Sequence, residues 1–263
     1  MVVVSGVCLA RRPVAGELGD AKSFSRMETH SASARIIGVV SATSRFIDIQ
    51  AAVDTVDLEV HEIECIKADR VLFSGVSFVL RGGELLRVEG ANGSGKTSLL
   101  RILCGLSRPS RGKVMWNGAD VCRQARLIHA DLALVSHQPG VKGALTAAEN
   151  LTVAQQLSGA PRGLAIDEAL AQVGLRDFED IPCHYLSEGQ RRRVALARLL
   201  VNRAKLWVLD EPLTALDVEG VKMVERLLTG QLATGGMVVM TTHQSVNIGS
   251  HQSLNLSLVE ARP

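Results

Sequence analysis

The sequence GANGSGKT, residues 90–97, matches the phosphate-binding pattern G-x-x-x-x-G-K-[ST]. It follows the apolar run LLRVE and precedes TSLLRIL, whose apolar residues have helical spacing, so a strand, a loop and a helix are expected in that order. Glycines in such a loop let backbone amides close around phosphate oxygens, and the helix N-terminus favours the anion. The residues expected to bind a nucleotide are Gly90, Ala91, Asn92, Gly93, Ser94, Gly95, Lys96, Thr97 and Ser98.

Two acidic residues follow a buried-strand pattern in LWVLDEP, residues 206–212. Burying unpaired carboxylates is costly, so two acids at the end of an apolar strand need a reason. Beside a phosphate loop, Asp210 is expected to hold Mg²⁺ together with the Thr97 hydroxyl, while Lys96 faces the β- and γ-phosphates. Glu211 is expected to orient and polarise the attacking water. Two solvated acids at a strand end are the alternative interpretation.

Two further polar residues follow apolar strands. His243 follows the run MVVMTT, and Gln138 follows LALVSH. The carboxyl ends of strands in α/β sheets are where ligands bind, so His243 is predicted to contact the γ-phosphate. Gln138 is predicted to reach Mg²⁺ or the attacking water. Taken alone, either side chain could instead face solvent or pack.

A second small-residue loop opens the stretch YLSEGQRRRVALARLLV, residues 185–201, whose apolar positions recur at helical spacing. The free amides of a helix N-terminus behind such a turn form an anion site, so Ser187, Gly189 and Gln190 are candidate phosphate-binding residues. The alternative is a serine N-cap with Glu188 in the first helical turn.

The remaining pattern predicts an α/β fold. Short apolar runs alternate with helical segments, which indicates a mostly parallel sheet. LEVHEIECI, residues 58–66, alternates as a half-buried strand should, and VSFVLRGGELLRVEG predicts strand, Gly-Gly turn and strand. Residues 1–56 have weak periodicity and are predicted to be a poorly ordered extension or a misassigned start.

Composition limits the partners. The 263 residues are 46% hydrophobic and 21% charged with a net charge of +2, which favours a globular protein without a dominant basic block for nucleic acid. No apolar run reaches the ~18–20 residues of a membrane-spanning helix, so membrane contact is expected only through a partner. Five scattered cysteines are expected to be free thiols in a reducing compartment.

The motifs GANGSGKT, HQPG, LSEGQ, LWVLDEP, TALD and TTH together resemble, in order and spacing, the ATP-binding cassette (ABC) ATPases over residues ~58–245. The resemblance implies one ABC domain over residues 57–263, a P-loop NTPase cassette with a mostly parallel sheet core. It also implies an antiparallel β edge and an inserted helical subdomain at about 139–190. ATP and Mg²⁺ would be the cofactors. A second cassette would pair head to tail as a homodimer, with LSEGQ of one chain closing on the γ-phosphate held by the other.

Two features depart from that family. Glu188 occupies a position that is usually glycine, and a carboxylate near phosphate is unfavourable unless it points away or pairs with Arg191 or Arg192. The family also stacks adenine on an aromatic residue some twenty-odd positions before the phosphate loop, where CIKADRVL offers none. Ile66 or the stem of Arg70 is expected to cover the base instead.

A narrower resemblance is to the CcmA-type ATP-binding subunits of the bacterial cytochrome c maturation system, often called haem exporter ATPases. It is carried by SHQPGVKGALTAAENL, RRRVALARLLVNRAKLWVLDEPLTALDVEGV and GGMVVMTTHQ. It implies a peripheral protein on the cytoplasmic face of the bacterial inner membrane, paired with an integral CcmB-type subunit. ATP hydrolysis would then drive haem handling for c-type cytochromes.

Other functions remain open from the residues. A soluble cassette could serve iron–sulfur cofactor assembly, the ATPase could belong to another ABC exporter, or the chain could be a scaffold that binds ATP without turnover. The presence of Glu211, Gln138 and His243 argues against the scaffold.

Overall fold

The computed structural model of this chain describes residues 57–158, 160–249 and 251–256. The extension expected at residues 1–56 lies outside the described residues, so the domain boundary near residue 57 stays a prediction. The strands within the described residues are β1 Asp57–Lys67, β2 Arg70–Arg81, β3 Leu85–Glu89, β4 Arg111–Trp116, β5 Ala119–Asp120, β6 Leu132–Val135, β7 Leu206–Asp210, β8 Met237–Thr241 and β9 Gln252–Asn255. The α-helices there are α1 Lys96–Leu103, α2 Ala125–Asp131, α3 Ala147–Leu157, α4 Ile166–Gln172, α5 Glu188–Ala197 and α6 Val218–Ala233.

Four of the strands form an antiparallel sheet in the order β2-β1-β4-β5. Its buried face includes Leu58 and Val114, which share a hydrophobic cluster with Leu99 of α1 and Val208 of β7. This sheet therefore packs over α1 and one face of the second sheet. It is the antiparallel β edge that the family resemblance implies.

A β-bulge interrupts β1. Leu58 and Val60 are buried, and the next buried positions are Ile63 and Cys65, so the inward-facing set shifts by one residue. The pairing with β2 shifts at the same place, and Glu62 has a φ of 47°. The strict alternation expected for LEVHEIECI is wrong at this point, because an extra residue inverts the sides that the following residues face.

The other five strands form a parallel sheet in the order β6-β7-β8-β3-β9. Every residue of β7 and β8 is buried. Leu206 and Val208 face the cluster around α1, whereas Trp207 and Leu209 face the cluster formed by the later helices. The predicted mostly parallel sheet is thus confirmed, and both of its faces are covered. The Gly-Gly turn after β2 carries the chain from the antiparallel sheet into this one.

The segment expected to form a helical subdomain contains α3, α4 and the start of α5, and these three helices contact one another. Thr146 begins α3 with a capping box, because its hydroxyl accepts from Glu149 N while the Glu149 carboxylate accepts from Thr146 N. These helices share one hydrophobic cluster with the parallel sheet, and the subdomain limits stay a prediction. The sequence analysis did not identify α6, which packs on β8.

Four cysteines lie among the described residues, and all four are free: Cys65, Cys104, Cys122 and Cys183. Burial raises the pKa of the Cys104 thiol to about 12, so this thiol is inert near neutral pH. The described part of the chain has no helix with the length and apolar character needed to cross a bilayer.

Gly112 provides a test of the bulge. It has a φ of 77°, and a Cβ there would lie 2.3 Å from His61 O and 2.4 Å from Glu62 O. Both atoms are backbone, so we expect Gly112→Ala to lower the free energy of unfolding by more than about 2 kcal/mol. Urea denaturation measures this change.

Gly118→Ala is the matched control. Gly118 has nearly the same φ, 76°, but no described atom beyond its chain neighbours lies within 4 Å of the added Cβ. Only the left-handed backbone then opposes alanine, at a cost of about 1 kcal/mol. Equal losses for the two variants would show that the bulge does not restrict residue 112.

Candidate active site at the carboxyl edge of the parallel sheet

The sheet order brings the predicted site residues together. The phosphate loop follows β3, Asp210 ends β7, and His243 lies two residues after β8. Because β7, β8 and β3 are adjacent and parallel, their carboxyl ends meet at one edge of the sheet. Residues more than a hundred positions apart therefore line one cavity.

The phosphate loop requires glycine at two positions for packing as well as for conformation. Gly95 caps α1 with a φ of 96°, and a Cβ there would lie 2.9 Å from Cδ1 of buried Phe73. Gly90 has a φ of 146°, and its Cβ would lie 2.6 Å from Leu256 O. Ser94 is buried, and its Oγ finds no hydrogen-bond partner among the described residues. This unpaired hydroxyl suits a loop that binds phosphate oxygens.

Asp210 connects three elements. Thr97 Oγ1 on α1 donates to Asp210 Oδ2 at 2.8 Å, and Thr241 Oγ1 on β8 donates to Asp210 Oδ1 at 2.7 Å. Both carboxylate oxygens of a residue that is 5% exposed are thereby hydrogen-bonded. The two residues predicted to hold Mg²⁺, Thr97 and Asp210, are in direct contact.

Glu211, His243 and Lys96 form a chain of contacts in the same cavity. His243 Nε2 lies 3.5 Å from Glu211 Oε1 and 3.5 Å from Lys96 Nζ. Lys96 Nζ also donates to Gly90 O at 2.7 Å and to Ala91 O at 3.2 Å. Glu211 Oε1 is buried and accepts no hydrogen bond from any described residue. A buried carboxylate oxygen without a hydrogen-bond partner is suited to accept a hydrogen bond from water or substrate.

The cavity has a volume of about 620 Å³. Its lining residues are Leu72, Asn92, Gly93, Gly95, Lys96, Thr97, Ser98, His137, Asp210, Glu211, Thr214 and His243. Gln138 is not in this set, although its neighbour His137 is. The predicted contact of Gln138 with metal or water therefore requires movement of this exposed segment.

The second glycine-bearing loop lies outside this cavity. Ser187 caps α5 with a capping box, in which its hydroxyl accepts from Gln190 N at 3.2 Å and Gln190 Oε1 accepts from Ser187 N at 2.8 Å. Gly189 is required by packing, since a Cβ there would lie 2.8 Å from Ala215 O. In a single chain, Ser187, Gly189 and Gln190 therefore do not line the cavity that contains Lys96.

Glu188 finds no ion-pair partner among the described residues. Arg191 Nη1 donates to Leu186 O at 2.6 Å, and the Arg192 guanidinium is used entirely by backbone carbonyls. Neither arginine makes the pairing considered from the sequence. Glu188 is exposed in the first turn of α5, where the helix dipole favours a carboxylate.

Among the described residues, the cavity lining contains no Phe, Tyr or Trp to stack on a base. Leu72 lines the cavity, and among the described lining residues the only rings are those of His137 and His243. Ile66, expected as one substitute for the missing aromatic residue, is 44% exposed but does not line the cavity, and neither does Arg70. Leu72 was not predicted from the sequence.

The sequence analysis also missed Thr241 and Arg192. Thr241 is the last residue of β8 and directly precedes the Thr-His pair, and Arg192 is the second arginine of RRR in α5. Neither sequence pattern distinguishes a buried hydrogen-bonding residue from an ordinary strand or helix residue.

Comparison with known proteins agrees with the resemblance to ABC ATPases. Residues 73–214 match the family model described as ABC transporter. The chain is 51% identical over 197 residues to the cytochrome c biogenesis ATP-binding export protein CcmA of Methylococcus capsulatus, covering 74% of this chain and 95% of that protein. It is 47% identical over 205 residues to the protein of the same name from Escherichia coli O157:H7, covering 78% and 98%.

Solved structures support the fold. The ATP-binding subunit of an ABC transporter superposes with a TM-score of 0.65 at 23% identity, covering 71% of this chain and 79% of that chain. The ADP conformation of an ATP-binding cassette superposes with a TM-score of 0.62 at 22% identity, covering 72% and 82%. The chain belongs to the ABC transporter family, as one of its ATP-binding cassettes. The predictions of a cassette fold and of an ATP-hydrolysing transporter subunit are confirmed.

Thr241 provides a test of the site. Thr241→Val keeps the shape of the side chain but removes the donor to Asp210 Oδ1 and one acceptor of Glu211 N. An unsatisfied buried carboxylate oxygen costs about 1–3 kcal/mol, so the free energy of unfolding in urea should fall by that amount. Thr241→Ser keeps the hydroxyl and loses one methyl group, worth about 0.8 kcal/mol. If the valine variant were as stable as the serine variant, the proposed importance of this hydroxyl would be wrong.

Proposed function

We propose that this chain is the ATP-hydrolysing subunit of an ABC export complex that acts in the biogenesis of c-type cytochromes. The observation that carries the proposal is the convergence of Lys96, Thr97, Asp210, Glu211 and His243 around one cavity. The relatives that share about half of their residues with this chain bear the name cytochrome c biogenesis ATP-binding export protein. Iron–sulfur cofactor assembly and another ABC exporter are the alternatives.

Glu211 is the group that acts on water in this proposal. Its buried Oε1, which accepts no hydrogen bond from a described residue, accepts one from a water molecule and takes the proton as the water oxygen bonds to the γ-phosphorus. The bond from that phosphorus to the bridging oxygen breaks, and ADP leaves with its electron pair. His243, 3.5 Å from Glu211, contacts the γ-phosphate and orients the carboxylate. Lys96 offsets the charge on the phosphates.

The residues present fit a magnesium ion. Thr97 Oγ1 and Asp210 Oδ2 lie 2.8 Å apart at the cavity, and oxygen atoms are the ligands that Mg²⁺ prefers. Gln138 is the further ligand in the proposal, reached when its exposed segment moves. When bound, Mg²⁺ supplies neutralisation of the charge on the phosphates.

The second loop serves a partner cassette. We infer that two copies pair head to tail, so that Ser187, Gly189 and Gln190 of one chain close on the γ-phosphate held by the other. The capping box supports this role. Ser187 Oγ uses a lone pair for Gln190 N, which leaves its hydroxyl hydrogen free to donate to phosphate. The amides of Glu188 and Gly189 at the start of α5 also point to that side.

A groove of about 530 Å³ on the cassette surface suits a membrane subunit. Four exposed large apolar side chains line it, those of Leu106, Leu134, Val153 and Leu157, and Leu157 is 82% exposed. An apolar surface of this kind favours an interacting helix. In this proposal an integral CcmB-type subunit presents a cytoplasmic helix to the groove. The cassette is then peripheral, on the cytoplasmic face of the bacterial inner membrane.

The groove is connected to the segment that carries Gln138. Arg198 lines the groove, and its Nη1 donates to Pro139 O at 3.0 Å. Leu134 also lines the groove from β6, four residues before Gln138. Occupation of the groove would therefore act on the position of Gln138. In this proposal, the link between the groove and Gln138 couples ATP hydrolysis to haem handling. Recognition of the cargo is expected to reside in the membrane subunit.

Glu211→Gln tests hydrolysis. Loss of the general base should lower ATP turnover by about 100-fold or more and leave an ATP-bound dimer, because binding residues are unchanged. ATPase assays and size-exclusion chromatography in ATP measure the two effects. Glu219→Gln is the control, because Glu219 is an exposed acid of α6 paired with Lys222. Unchanged turnover in Glu211→Gln would sink the assignment of Glu211, whereas ATP binding without turnover in the wild-type chain would favour a non-hydrolysing scaffold.

The groove is tested by Leu134→Glu and Leu157→Glu. A charge buried at the interface should weaken the complex by about 30-fold, which is about 2 kcal/mol, whereas the isolated cassette keeps its ATPase activity. Co-purification from gently solubilised membranes, with mass spectrometry of the bound proteins, measures this loss. Leu127→Glu is the control, since Leu127 is 48% exposed on α2 outside the groove. A wild-type chain recovered with a soluble assembly partner would favour the iron–sulfur alternative instead.

A further inference from the structure

Arg192 on α5 is buried, at 2% exposure, although it carries a charge. Its guanidinium makes five hydrogen bonds, one from Nε, two from Nη1 and two from Nη2, which equals its number of N–H donors. All five acceptors are main-chain carbonyl oxygens: Ser136 at 2.9 Å, His137 at 3.1 Å, Asp210 at 3.0 Å, Pro212 at 3.3 Å, and Glu211. No carboxylate of a described residue forms an ion pair with it within 4 Å.

These carbonyls belong to the two segments that carry Gln138 and Glu211. Ser136 and His137 follow β6 and directly precede Gln138. The other three acceptors are the carbonyls of residues 210–212, the segment at the end of β7 that carries Glu211. One side chain on the second loop's helix thus connects the carboxyl ends of two neighbouring strands. Burial lowers the pKa of Arg192, and the charges of Asp210 and Glu211 oppose that shift.

Glu211 depends on such support because of its backbone. Its φ of 50° is in the left-handed region, which costs a non-glycine residue about 1 kcal/mol or more. Thr241 accepts from the Glu211 amide through Oγ1 at 2.9 Å and through its carbonyl at 3.2 Å, and Arg192 donates to the Glu211 carbonyl. The peptide units on both sides of Glu211 are therefore fixed, and with them the direction of its carboxylate.

We propose that Arg192 is a positioning residue for ATP hydrolysis, which sets the orientation of Glu211 and links it to the loop that contains Ser187. Ser187 caps α5, and Arg192 lies five residues later in that helix. The surface proposed to contact the partner's nucleotide is therefore joined to Glu211, the proposed general base of this chain. Lysine cannot replace the arginine fully, because it has three donors on one nitrogen rather than five in a planar fork. The proposal rests on the function given above, with Glu211 as the base.

The test is a double-mutant cycle on the full chain, using Arg192→Met, Arg192→Lys and Glu211→Gln. Misplacing a catalytic group by about 1 Å costs up to about 100-fold, so Arg192→Met should lower kcat by about 10- to 100-fold. The KM and Kd for ATP should stay within about threefold, since Arg192 does not line the ATP cavity. Arg192→Lys should lie between methionine and wild type.

The decisive comparison is made in the Glu211→Gln background. If Arg192 acts through Glu211, adding Arg192→Met there should lower the residual single-turnover rate by less than about twofold. The same loss in both backgrounds would overturn the proposal, because general damage to the fold does not depend on Glu211. A raised KM with unchanged kcat would overturn it as well.

Two precautions keep the outcomes distinct. Thermal unfolding identifies a variant that fails to fold, and if Arg192→Met does so, the cycle with Arg192→Lys decides the question by the same criterion. A wild-type chain that bound ATP but did not hydrolyse it would instead contradict the proposed function itself. Failure of the positioning role and failure of the ATPase function are therefore separate results.

Discussion

The carboxylate of Asp210 is held at the carboxyl edge of the parallel sheet by two hydroxyl groups, and the rest of the site depends on that arrangement. Thr97 donates to it from the start of α1, and Thr241 donates to it from β8. Each hydrogen bond to a charged group contributes about 1.5–3 kcal/mol, which offsets the cost of burying the acid. The bond from Thr97 fixes the start of α1 against β7, and so fixes where the amides of the phosphate loop are directed, while the bond from Thr241 holds the carboxylate from β8.

Much of this site could be predicted because its residues lie at strand ends. Parallel strands bring their carboxyl ends to one edge, so Asp210, Glu211 and His243 had to lie near the loop after β3 once the sheet was recognised. Thr241 and Arg192 could not be found in this way. Their roles depend on contacts with segments distant in sequence, and a buried hydroxyl or guanidinium has no periodic pattern.

The bulge in β1 is an intermediate case. The spacing of its apolar residues, Leu58 and Val60 followed by Ile63 and Cys65, already contained the shift of one residue. The interpretation as a simple alternating strand overlooked it. The requirement for glycine at residue 112 could not be predicted from the sequence. It arises because β4 pairs with β1 beside the bulge, where a Cβ would collide with the carbonyl oxygens of His61 and Glu62. Local spacing thus specifies which sides of a strand are buried, whereas close approaches between strands need the folded chain.

In the proposed head-to-tail pair, the second loop gives a cassette with a complete phosphate loop a use for another copy. Glu188 is exposed in the first turn of α5, where its charge stabilises its own helix, yet the same helix end would receive a partner's phosphate. Two anions then compete for one set of amides, and neither Arg191 nor Arg192 is available to neutralise the carboxylate. Closure of the proposed pair therefore requires the exposed Glu188 carboxylate to stay directed away from the partner's phosphate. In an isolated chain the capping box of Ser187 and Gln190 satisfies two amides at this helix end, and the exposed Glu188 carboxylate adds a favourable charge near the positive end of the helix dipole.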